Sequence, residues 1–461
     1  MRSVICRLAL VAAAVTALSV PAVAAASTPV ELGVKYLEKV QKSESATGAP
    51  SFGGDWALAS LAAGGKAAAD VHRGSGTVYA REWYESYISP STWPGSVENP
   101  ETEFEKATLV SYAAGIDPAR VSTERNLLAN LISEYQTANP GYYGLPGRLE
   151  GTIFAVLALA DTKSTTGVVR IPTALLKQSV EVIEKNQHTS GGWNYNKVEG
   201  ETKGLESAAE PDTTGAAMAA LCTSGVKNEA EEKAVLKGKE YLKSILEKTG
   251  AFKYIEGVNA DSNAWAVSGL NMCGINASGF KKEEAGAESP VKFLELLQVK
   301  SGENEGGFLY KPSGTLNNYS SQDAVRALAG AGFTAEPPTP TRVGQPQWKF
   351  ATEFSTTLTS PLALIINNGS SLKVCSVPVK AESGAELLKI NLLQVLNNAK
   401  AGTGVKPSGC VSGFEPTSGT GAITSINETA GTWKASLNGK TEETAELATK
   451  VELGAVIYLN G

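Results

Sequence analysis

The sequence predicts six pairs of α-helices followed by a smaller domain that is mostly β. A helix–loop–helix unit recurs along residues 27–335, and a proline-rich segment at residues 336–347 follows it, which predicts a stiff, extended linker. Beyond that segment, residues 348–461 contain short runs of β-forming residues. Consecutive buried helices of the repeat begin about 50 to 60 residues apart, which is enough for one helical hairpin with its loops. This spacing favours a closed toroid or a solenoid.

The first 26 residues have the pattern of a secretory signal peptide. Arg2 and Arg7 lie near the N-terminus, an apolar run extends from Leu8 to Val20, and small residues follow up to Ala26. The apolar run is short for a bilayer span, and no later run of about 20 apolar residues occurs. We therefore expect a secreted protein without a transmembrane segment, with an uncleaved anchor as the alternative.

The repeat has the same three parts in each copy. An amphipathic helix ends near a glutamine, a glycine-rich loop carries an aromatic residue, and an acid precedes a helix rich in Ala and Leu. The acids of four copies are Asp55, Asp212, Asp261 and Asp323, and two weaker copies begin their second helices near Phe104 and Glu150. The second helix is apolar nearly all round, which indicates that it is buried between neighbours. Charged first helices should therefore form an outer ring around small, apolar inner helices.

The aromatic loops and the acids are the candidate ligand contacts. Because the four aspartates begin inner helices, they would lie around one mouth of a toroid, although acids at helix starts more commonly cap free amides. The loops carry Phe52, Trp193, Tyr195, Tyr254, Phe308 and Tyr310. These rings either line a site at the same rim or wedge between adjacent repeats.

The four cysteines that remain after loss of Cys6 with the leader suggest two disulfides in an oxidising compartment. Four cysteines allow three pairings. Cys222 and Cys273 end two consecutive repeats at nearly the same level, while Cys375 and Cys410 both lie in the C-terminal region. We pair them accordingly, with buried free thiols as the alternative.

The charge of the chain argues against nucleic acid as a partner. The formal net charge is −6 and becomes −8 without Arg2 and Arg7, whereas a phosphate-binding surface needs a stripe of Lys and Arg. Only two histidines occur, and no phosphate-binding loop, nucleophile elbow or zinc-site pattern is present. We expect a small-molecule ligand and no metal site.

The repeat resembles the motif of the squalene/hopene and other terpene cyclases. Gln187, Gly191 and Trp193 match the motif at the family's spacing, and Lys237-Gly238 with Tyr241-Leu242 matches its opening. The resemblance implies an α6/α6 toroid, a fold that cyclases share with prenyltransferase subunits and with vitamin B12 carriers. A class II cyclase protonates an alkene with the middle acid of an Asp-x-Asp-Asp run, and the nearest segment here is Glu210-Pro211-Asp212-Thr213. Asp212 aligns with the proton donor, but Thr213 replaces the acid that should activate it.

The C-terminal residues predict strands at Trp348 to Phe354, Leu362 to Ile366, Leu372 to Val379, Trp433 to Leu437 and Leu453 to Leu459, and a helix at Ala385 to Asn398. The Trp433 strand, its Asn438-Gly439 turn and the terminal strand resemble the small C-terminal domain of transcobalamin and intrinsic factor. In those carriers the vitamin lies between the two domains. Trp433 either contacts such a ligand from the second domain or belongs to the core of that domain. Ala455 stands where that family commonly has an aspartate.

Three functions follow from these patterns. The first is a secreted, non-catalytic carrier that holds a corrinoid (cobalamin) between the toroid and the C-terminal domain, with Asp55, Trp193, Tyr195, Asp212, Tyr254, Asp261, Tyr310, Asp323 and Trp433 as candidate contacts. The second is an isoprenoid-binding or cyclase-like enzyme in which Asp212 is the acid. The third is a cell-surface interaction or scaffold protein.

Overall fold

The computed structural model describes residues 27–50, 55–95, 102–136, 138–145, 147–161, 171–196, 209–255, 257–352, 356–380 and 390–461. The expected signal peptide and the loop residue Phe52 lie outside these ranges. Within them, twelve helices form six consecutive pairs. The first helices of the pairs are α1 (Pro29–Ser43), α3 (Ala80–Ile88), α5 (Leu127–Ile132), α7 (Thr173–Lys185), α9 (Glu229–Ile245) and α11 (Pro290–Leu297). The second helices are α2 (Trp56–Ala63), α4 (Glu103–Ala114), α6 (Glu150–Ala160), α8 (Pro211–Thr223), α10 (Ala260–Met272) and α12 (Asn318–Leu328).

The second helices pack side by side into a closed inner ring. Helix α2 contacts α4, the series continues through α6, α8 and α10, and α12 packs back against α2. The first helices lie outside this ring, as α7 does against α6 and α8 and as α1 does against α2 and α12. The described residues therefore form an α6/α6 toroid, which confirms that part of the predicted fold class.

Inner and outer helices differ in burial as their sequences predict. In α6 every residue from Gly151 to Leu159 is buried, whereas α1 buries Val34, Leu37 and Val40 on one face and exposes Lys35. The closest approach in the ring is between α8 and α10. A Cβ added to Gly269 would overlap the backbone of Gly215 on the facing helix, so both positions require glycine for contact rather than for backbone conformation.

The chain after α12 contains a five-stranded sheet, so the whole protein is α+β. The strands of the described chain are β1 (Phe308–Leu309), β2 (Leu316–Asn317), β3 (Ser360–Asn367), β4 (Leu372–Val379), β5 (Ile390–Asn391), β6 (Phe414–Pro416), β7 (Ile423–Ile426), β8 (Thr429–Ala430), β9 (Lys434–Leu437), β10 (Glu443–Thr444), β11 (Lys450–Val451) and β12 (Val456–Asn460). The main sheet has the order β10-β9-β12-β3-β4, in which β12 runs parallel to β3 and the other pairs are antiparallel. Helix α13 (Leu392–Ala401) packs on β4.

The sheet is buried on both faces because one face lies against the toroid. Leu362 and Leu364 of β3 point into the C-terminal core, while the alternating residues Ala363 and Ile365 join the core of the toroid. Helix α5 is the toroid helix that contacts β3 and β4. The side chain of Asn126, which caps α5, donates a hydrogen bond from Nδ2 to the Pro361 carbonyl oxygen at 3.1 Å. The two parts of the chain thus meet through a packed apolar surface on the outside of the ring.

Both predicted disulfides are present. Cys222 at the end of α8 bonds to Cys273 directly after α10, and Cys375 in β4 bonds to Cys410. The first bond ties two neighbouring inner helices, and the second ties the edge of the sheet to the loop before β6. None of the helices described is long and apolar enough to cross a membrane.

Three local predictions differ from the structure. The described part of the expected strand at Trp348 to Phe354 contains only an isolated bridge from Lys349 to Ile116, because Lys349 pairs with the toroid instead of the sheet. The expected helix at Ala385 to Asn398 begins at Leu392, with residues 381–389 outside the described ranges. The proline-rich segment packs on the toroid, where the backbone amides of Thr341 and Arg342 donate to Asp70.

Candidate functional site

The inner ring encloses a cavity of about 720 Å³ at the end where its helices begin. Its lining residues are Asp55, Trp56, Thr102, Glu103, Lys106, Arg148, Glu150, Ile153, Phe154, Tyr195, Glu210, Asp212, Thr213, Ala216, Asp261, Trp265, Tyr319, Gln322 and Asp323. All of them belong to the toroid. Seven are carboxylic acids and only two, Lys106 and Arg148, are basic.

The structure brings together all four aspartates and Tyr195 from the predicted site. Tyr254 is not among the lining residues, but its hydroxyl donates a hydrogen bond to Oε1 of the lining residue Glu210 at 3.0 Å. Trp193 is fully buried and donates from its indole nitrogen to the Ile183 carbonyl at 2.8 Å, so it wedges into the repeat core as the alternative interpretation had it. Tyr310 is not among the lining residues.

Trp433 does not reach the cavity. Its side chain is 0% exposed in the core of the C-terminal sheet, and its indole nitrogen donates to the Thr429 carbonyl. Trp433 therefore belongs to the core of the C-terminal part, as the alternative interpretation had it, and that part lies against the outer helix α5.

The aspartates do not share the expected role of helix caps. Asp55 is the N-cap of α2, but Asn259 caps α10 and Asn317 caps α12. Asp261 lies in the first turn of α10, and Asp323 lies within α12, one turn and a half beyond its start. Because neutral asparagines cap these two helices, the carboxylates of Asp261 and Asp323 are not used as N-caps, and both residues line the cavity.

One side of the cavity holds a compensated pair of acids. Lys106 forms salt bridges of 3.1 Å with Asp55 Oδ2 and 2.8 Å with Glu103 Oε1. These two acids raise the pKa of Lys106 although burial opposes the rise, so the ammonium group stays charged. The Lys106 charge is thereby committed to this side of the mouth.

A second compensated acid lies between α10 and α12. Asp323 accepts a hydrogen bond from the Trp265 indole nitrogen and forms a salt bridge with Arg326 on its own helix. Burial raises the pKa of Asp323, and the Arg326 guanidinium opposes that rise. The guanidinium of Arg326 also lies over the Trp56 ring, 4.2 Å from its centre.

The opposite wall consists of Glu210, Asp212 and Asp261, which we call the acid wall. Glu210 accepts from the hydroxyls of Thr213 and Tyr254, and Asp212 accepts from the Thr213 amide at 2.9 Å and the Ser262 hydroxyl at 3.4 Å. Asp261 Oδ1 is buried and has no hydrogen-bond partner in the described part of the chain. No basic side chain described here forms a salt bridge with any of the three.

The pKa values of the acid wall are all raised. Burial raises the pKa of Glu210, with a further contribution from Asp212, and burial likewise raises the pKa of Asp212. Burial and then the neighbouring Asp323 carboxylate raise the pKa of Asp261 to about 7, although the Ser320 side chain, as a hydrogen-bond donor, lowers it. Asp261 therefore carries its proton over much of the range below neutral pH, in a wall where the other acids are hydrogen-bonded by neutral donors.

Aromatic rings lie below the acids. Phe154 packs edge-on against Trp265 with 5.4 Å between ring centres, and Phe333 packs edge-on against both. Trp56 lies 6.4 Å from Phe154. We call these four residues the aromatic floor, of which Trp56, Phe154 and Trp265 line the cavity.

Sequence analysis missed several lining residues. Glu103 and Glu150 begin the inner helices of the two weak repeats, so the rule that found the four aspartates could have found them. Lys106 and Gln322 gave no such signal, because a single polar residue in an apolar helix does not indicate which side of the ring it faces.

Comparisons with known proteins give no family. No protein-family model matches the chain, and no curated protein matches it. Among solved structures, the chain is similar to the type II terpene cyclase MstE from Scytonema, at 12% identity and a TM-score of 0.40, over 66% of this chain and 97% of that one. It is also similar to a glycosyl hydrolase of family 88 from Bacteroides vulgatus, at 11% identity and a TM-score of 0.43, over 66% and 99%. A polysaccharide lyase aligns at 11% identity and a TM-score of 0.39. The function of the cavity has to be inferred from its own side chains.

Proposed function

We propose that the cavity is the active site of an acid-initiated enzyme in which Asp261 donates a proton to a neutral substrate. The observation that supports this most is the state of Asp261. Asp261 lines the cavity, its buried Oδ1 atom makes no hydrogen bond in the described chain, and its pKa is raised to about 7 even with the Ser320 side chain as a neighbouring donor. A carboxylic acid that keeps its proton close to neutral pH is suited to general acid catalysis.

The rest of the wall suits the positive charge that develops after such a proton transfer. Asp212 and Glu210 are neighbouring carboxylates without a basic partner in the described chain, and the aromatic floor lies below them. Carboxylates and π-faces both stabilise a cationic transition state. We therefore infer a reaction that passes through an oxocarbenium ion or a carbocation.

The strength of the acid favours oxygen over carbon as the atom that is protonated. An alkene is a very weak base, so its protonation needs a carboxylic acid made unusually strong, and Thr213 replaces the activating acid of the cyclase motif. Neighbouring carboxylates weaken Asp261 as an acid. A raised pKa suits an acid that protonates the leaving oxygen of a glycoside or another acetal. We propose a neutral glycoside as the substrate class.

An isoprenoid substrate is the second candidate. It is favoured by the aromatic floor, because Trp56, Phe154 and Trp265 give the base of the cavity an apolar, π-rich surface. In this case Asp212, the residue that aligns with the cyclase proton donor, or Asp261 on the adjacent helix would supply the proton.

A corrinoid held between the domains has no comparable support. The lining of the cavity comes from the toroid, and the described contact with the C-terminal sheet is an apolar packing surface. The cellular location of the protein is a separate matter. We infer from the two disulfides that the protein works in an oxidising, extracellular compartment.

The test compares leaving groups in glycosides of neutral sugars. Nitrophenolate leaves without a proton, whereas phenolate and alkoxide leaving groups need one. We expect Asp261→Asn to lower kcat for phenyl or methyl glycosides at least 100-fold and to spare the 4-nitrophenyl glycosides far more. Glu283→Gln, at an exposed position, is the matched control and should leave both rates unchanged.

Geranylgeraniol and squalene are assayed in parallel, with isomeric cyclic products detected by mass spectrometry. Cyclic products that disappear in Asp212→Asn or Asp261→Asn, with no turnover of glycosides, would transfer the assignment to the second candidate. If wild type turns over neither class, or if Asp261→Asn affects all leaving groups equally, Asp261 is not a proton donor and the proposal fails.

A further inference from the structure

We propose that the acid wall binds an organic primary ammonium group, with the apolar body of the same ligand resting on the aromatic floor. This inference rests on the charges and hydrogen-bonding groups of the cavity, and it holds whether or not the cavity catalyses a reaction.

The cavity has more negative groups than its own cations neutralise. Lys106 is committed to Asp55 and Glu103. Arg148 donates to Asn196 Oδ1 at 3.2 Å, and its guanidinium lies 4.8 Å from the centre of the Tyr195 ring.

The three carboxylates of the acid wall have no such basic partner in the described chain. Glu210 and Asp212 accept only from neutral hydroxyl and amide groups among the contacts described, and Asp261 Oδ1 accepts from none. Buried carboxylates without a counterion repel one another. A cation bound among them would remove this repulsion and add favourable ion pairs. An anionic ligand such as a diphosphate or a polyuronate would add to the repulsion.

A second observation indicates that the missing group is a hydrogen-bond donor. Gln322 lines the cavity, is 1% exposed, and its Oε1 atom has no partner in the described chain. An unpaired buried acceptor costs about 1 to 3 kcal/mol. Both Gln322 Oε1 and Asp261 Oδ1 are acceptors that are closed off from the open cavity as the side chains stand. A primary ammonium group carries three donors and no acceptor, and it would reach them after rotation of the amide and the carboxyl group.

The size and lining of the cavity define the rest of the ligand. A volume of about 720 Å³ is in the range of small-molecule sites. The rings of Trp56, Phe154 and Trp265 give it an apolar base directly beside the acids. A cation with an aromatic or cyclic apolar body would therefore satisfy both surfaces at once.

The experiment uses three probes of nearly the same shape, titrated into the full-length protein by calorimetry at low ionic strength and pH 8. The first is 2-phenylethylammonium, and the second is 2-phenylethanol, its neutral counterpart. The third is N,N,N-trimethyl-2-phenylethylammonium, which keeps the charge but has no donor. We expect the primary ammonium ion to bind at least tenfold more tightly than the alcohol and more tightly than the quaternary ion.

Two further measurements connect binding to the acid wall. Asp212→Asn should weaken binding of the primary ammonium ion at least tenfold, whereas Glu283→Gln should not change it. In wild type, binding at pH 7 should release protons, seen as a dependence of the heat on buffer ionisation, because a cation beside Asp261 favours the ionised form of its carboxyl group. The wild-type measurement remains decisive if Asp212→Asn does not fold.

Equal affinity for the alcohol and the ammonium ion, or binding without proton release, would overturn the proposal. Its outcome is separate from that of the proposed enzyme. Binding of the ammonium ion to a protein that turns over no substrate would support this inference and not the enzyme, and turnover of a neutral glycoside without ammonium binding would do the reverse.

Discussion

The indole nitrogen of Trp265 donates a hydrogen bond to Asp323 Oδ2 at 2.9 Å, across the contact between α10 and α12. The other oxygen of Asp323 accepts from Arg326, whose guanidinium lies over the Trp56 ring. This series of contacts therefore links α10 to α12 and α12 to α2. It joins the last inner helix of the chain to the first, which is where the ring closes.

Asp323→Asn should destabilise the toroid strongly. Arg326 is buried and forms a salt bridge with Asp323, so an amide at position 323 leaves a buried guanidinium without that carboxylate. Breaking a buried pair from one side typically costs about 3 to 5 kcal/mol. Urea unfolding followed by circular dichroism measures the change in the free energy of unfolding.

The matched control is Glu229→Gln, which removes the partner of Lys233 in an exposed pair on α9. Exposed pairs contribute about 0 to 1 kcal/mol, so this variant should unfold almost as wild type does. An Asp323→Asn protein as stable as the control would show that Arg326 is hydrated or finds another acceptor.

Asp261→Asn should make the protein more stable at alkaline pH. The pKa of Asp261 is about 7 in the folded protein and about 3.9 in an unfolded chain. A raised folded pKa means that the folded state binds the proton more tightly, so stability is lost as pH rises from about 4 through 7. Asparagine does not titrate and escapes that loss.

Urea unfolding of wild type and Asp261→Asn at pH 4.5 and pH 8 measures this difference. We expect similar free energies of unfolding at pH 4.5 and an advantage for the variant on the order of 2 to 4 kcal/mol at pH 8. The comparison of two proteins at each pH cancels the titration of the other acids. A constant difference at both pH values would mean that Asp261 titrates normally.

Much of the toroid could be predicted from the sequence, because the pattern that identifies an inner helix is local. The second helices predicted after Asp55 and near Glu150 are present as α2 and α6. The start of α12 was less visible. Asp323 looks like a helix start by analogy with Asp55, but Asn317 caps the helix six residues earlier. Both residues suit an N-cap, and the choice depends on contacts with α10.

The position of the C-terminal part could not be predicted in the same way. The alternation of β3 indicates a strand, yet the sequence does not show that Ala363 and Ile365 face α5 of the toroid. That contact joins residues more than 200 positions apart in the chain. The two interpretations of Trp433, a ligand contact or a core residue, consequently stayed open, because a fully buried tryptophan in a sheet core has the same local sequence.

Gly269→Ala should disrupt the inner ring. The added methyl group would overlap the Gly215 backbone on α8, and neither helix can move away because both pack against further inner helices. Overpacking of this kind typically costs about 1 to 3 kcal/mol, despite the higher helix propensity of alanine. Gly76→Ala is the control, since a Cβ there meets no atom within 4 Å. Equal midpoints of thermal unfolding for the two variants would contradict the close approach of α8 and α10.

Purified protein should retain no corrinoid. In the described chain the cavity is lined by the toroid, and the C-terminal sheet covers α5 through Ala363, Ile365 and their neighbours, so that interface offers packed side chains where a carrier would hold its ligand. The measurement is gel filtration after incubation with cyanocobalamin at micromolar concentration, with the absorbance of the corrinoid recorded across the protein peak. We expect less than one tenth of a molecule per chain. Retention of one corrinoid per chain would require the C-terminal part to leave α5, and substitution of Ile365 by aspartate, which breaks the packing, should then increase it.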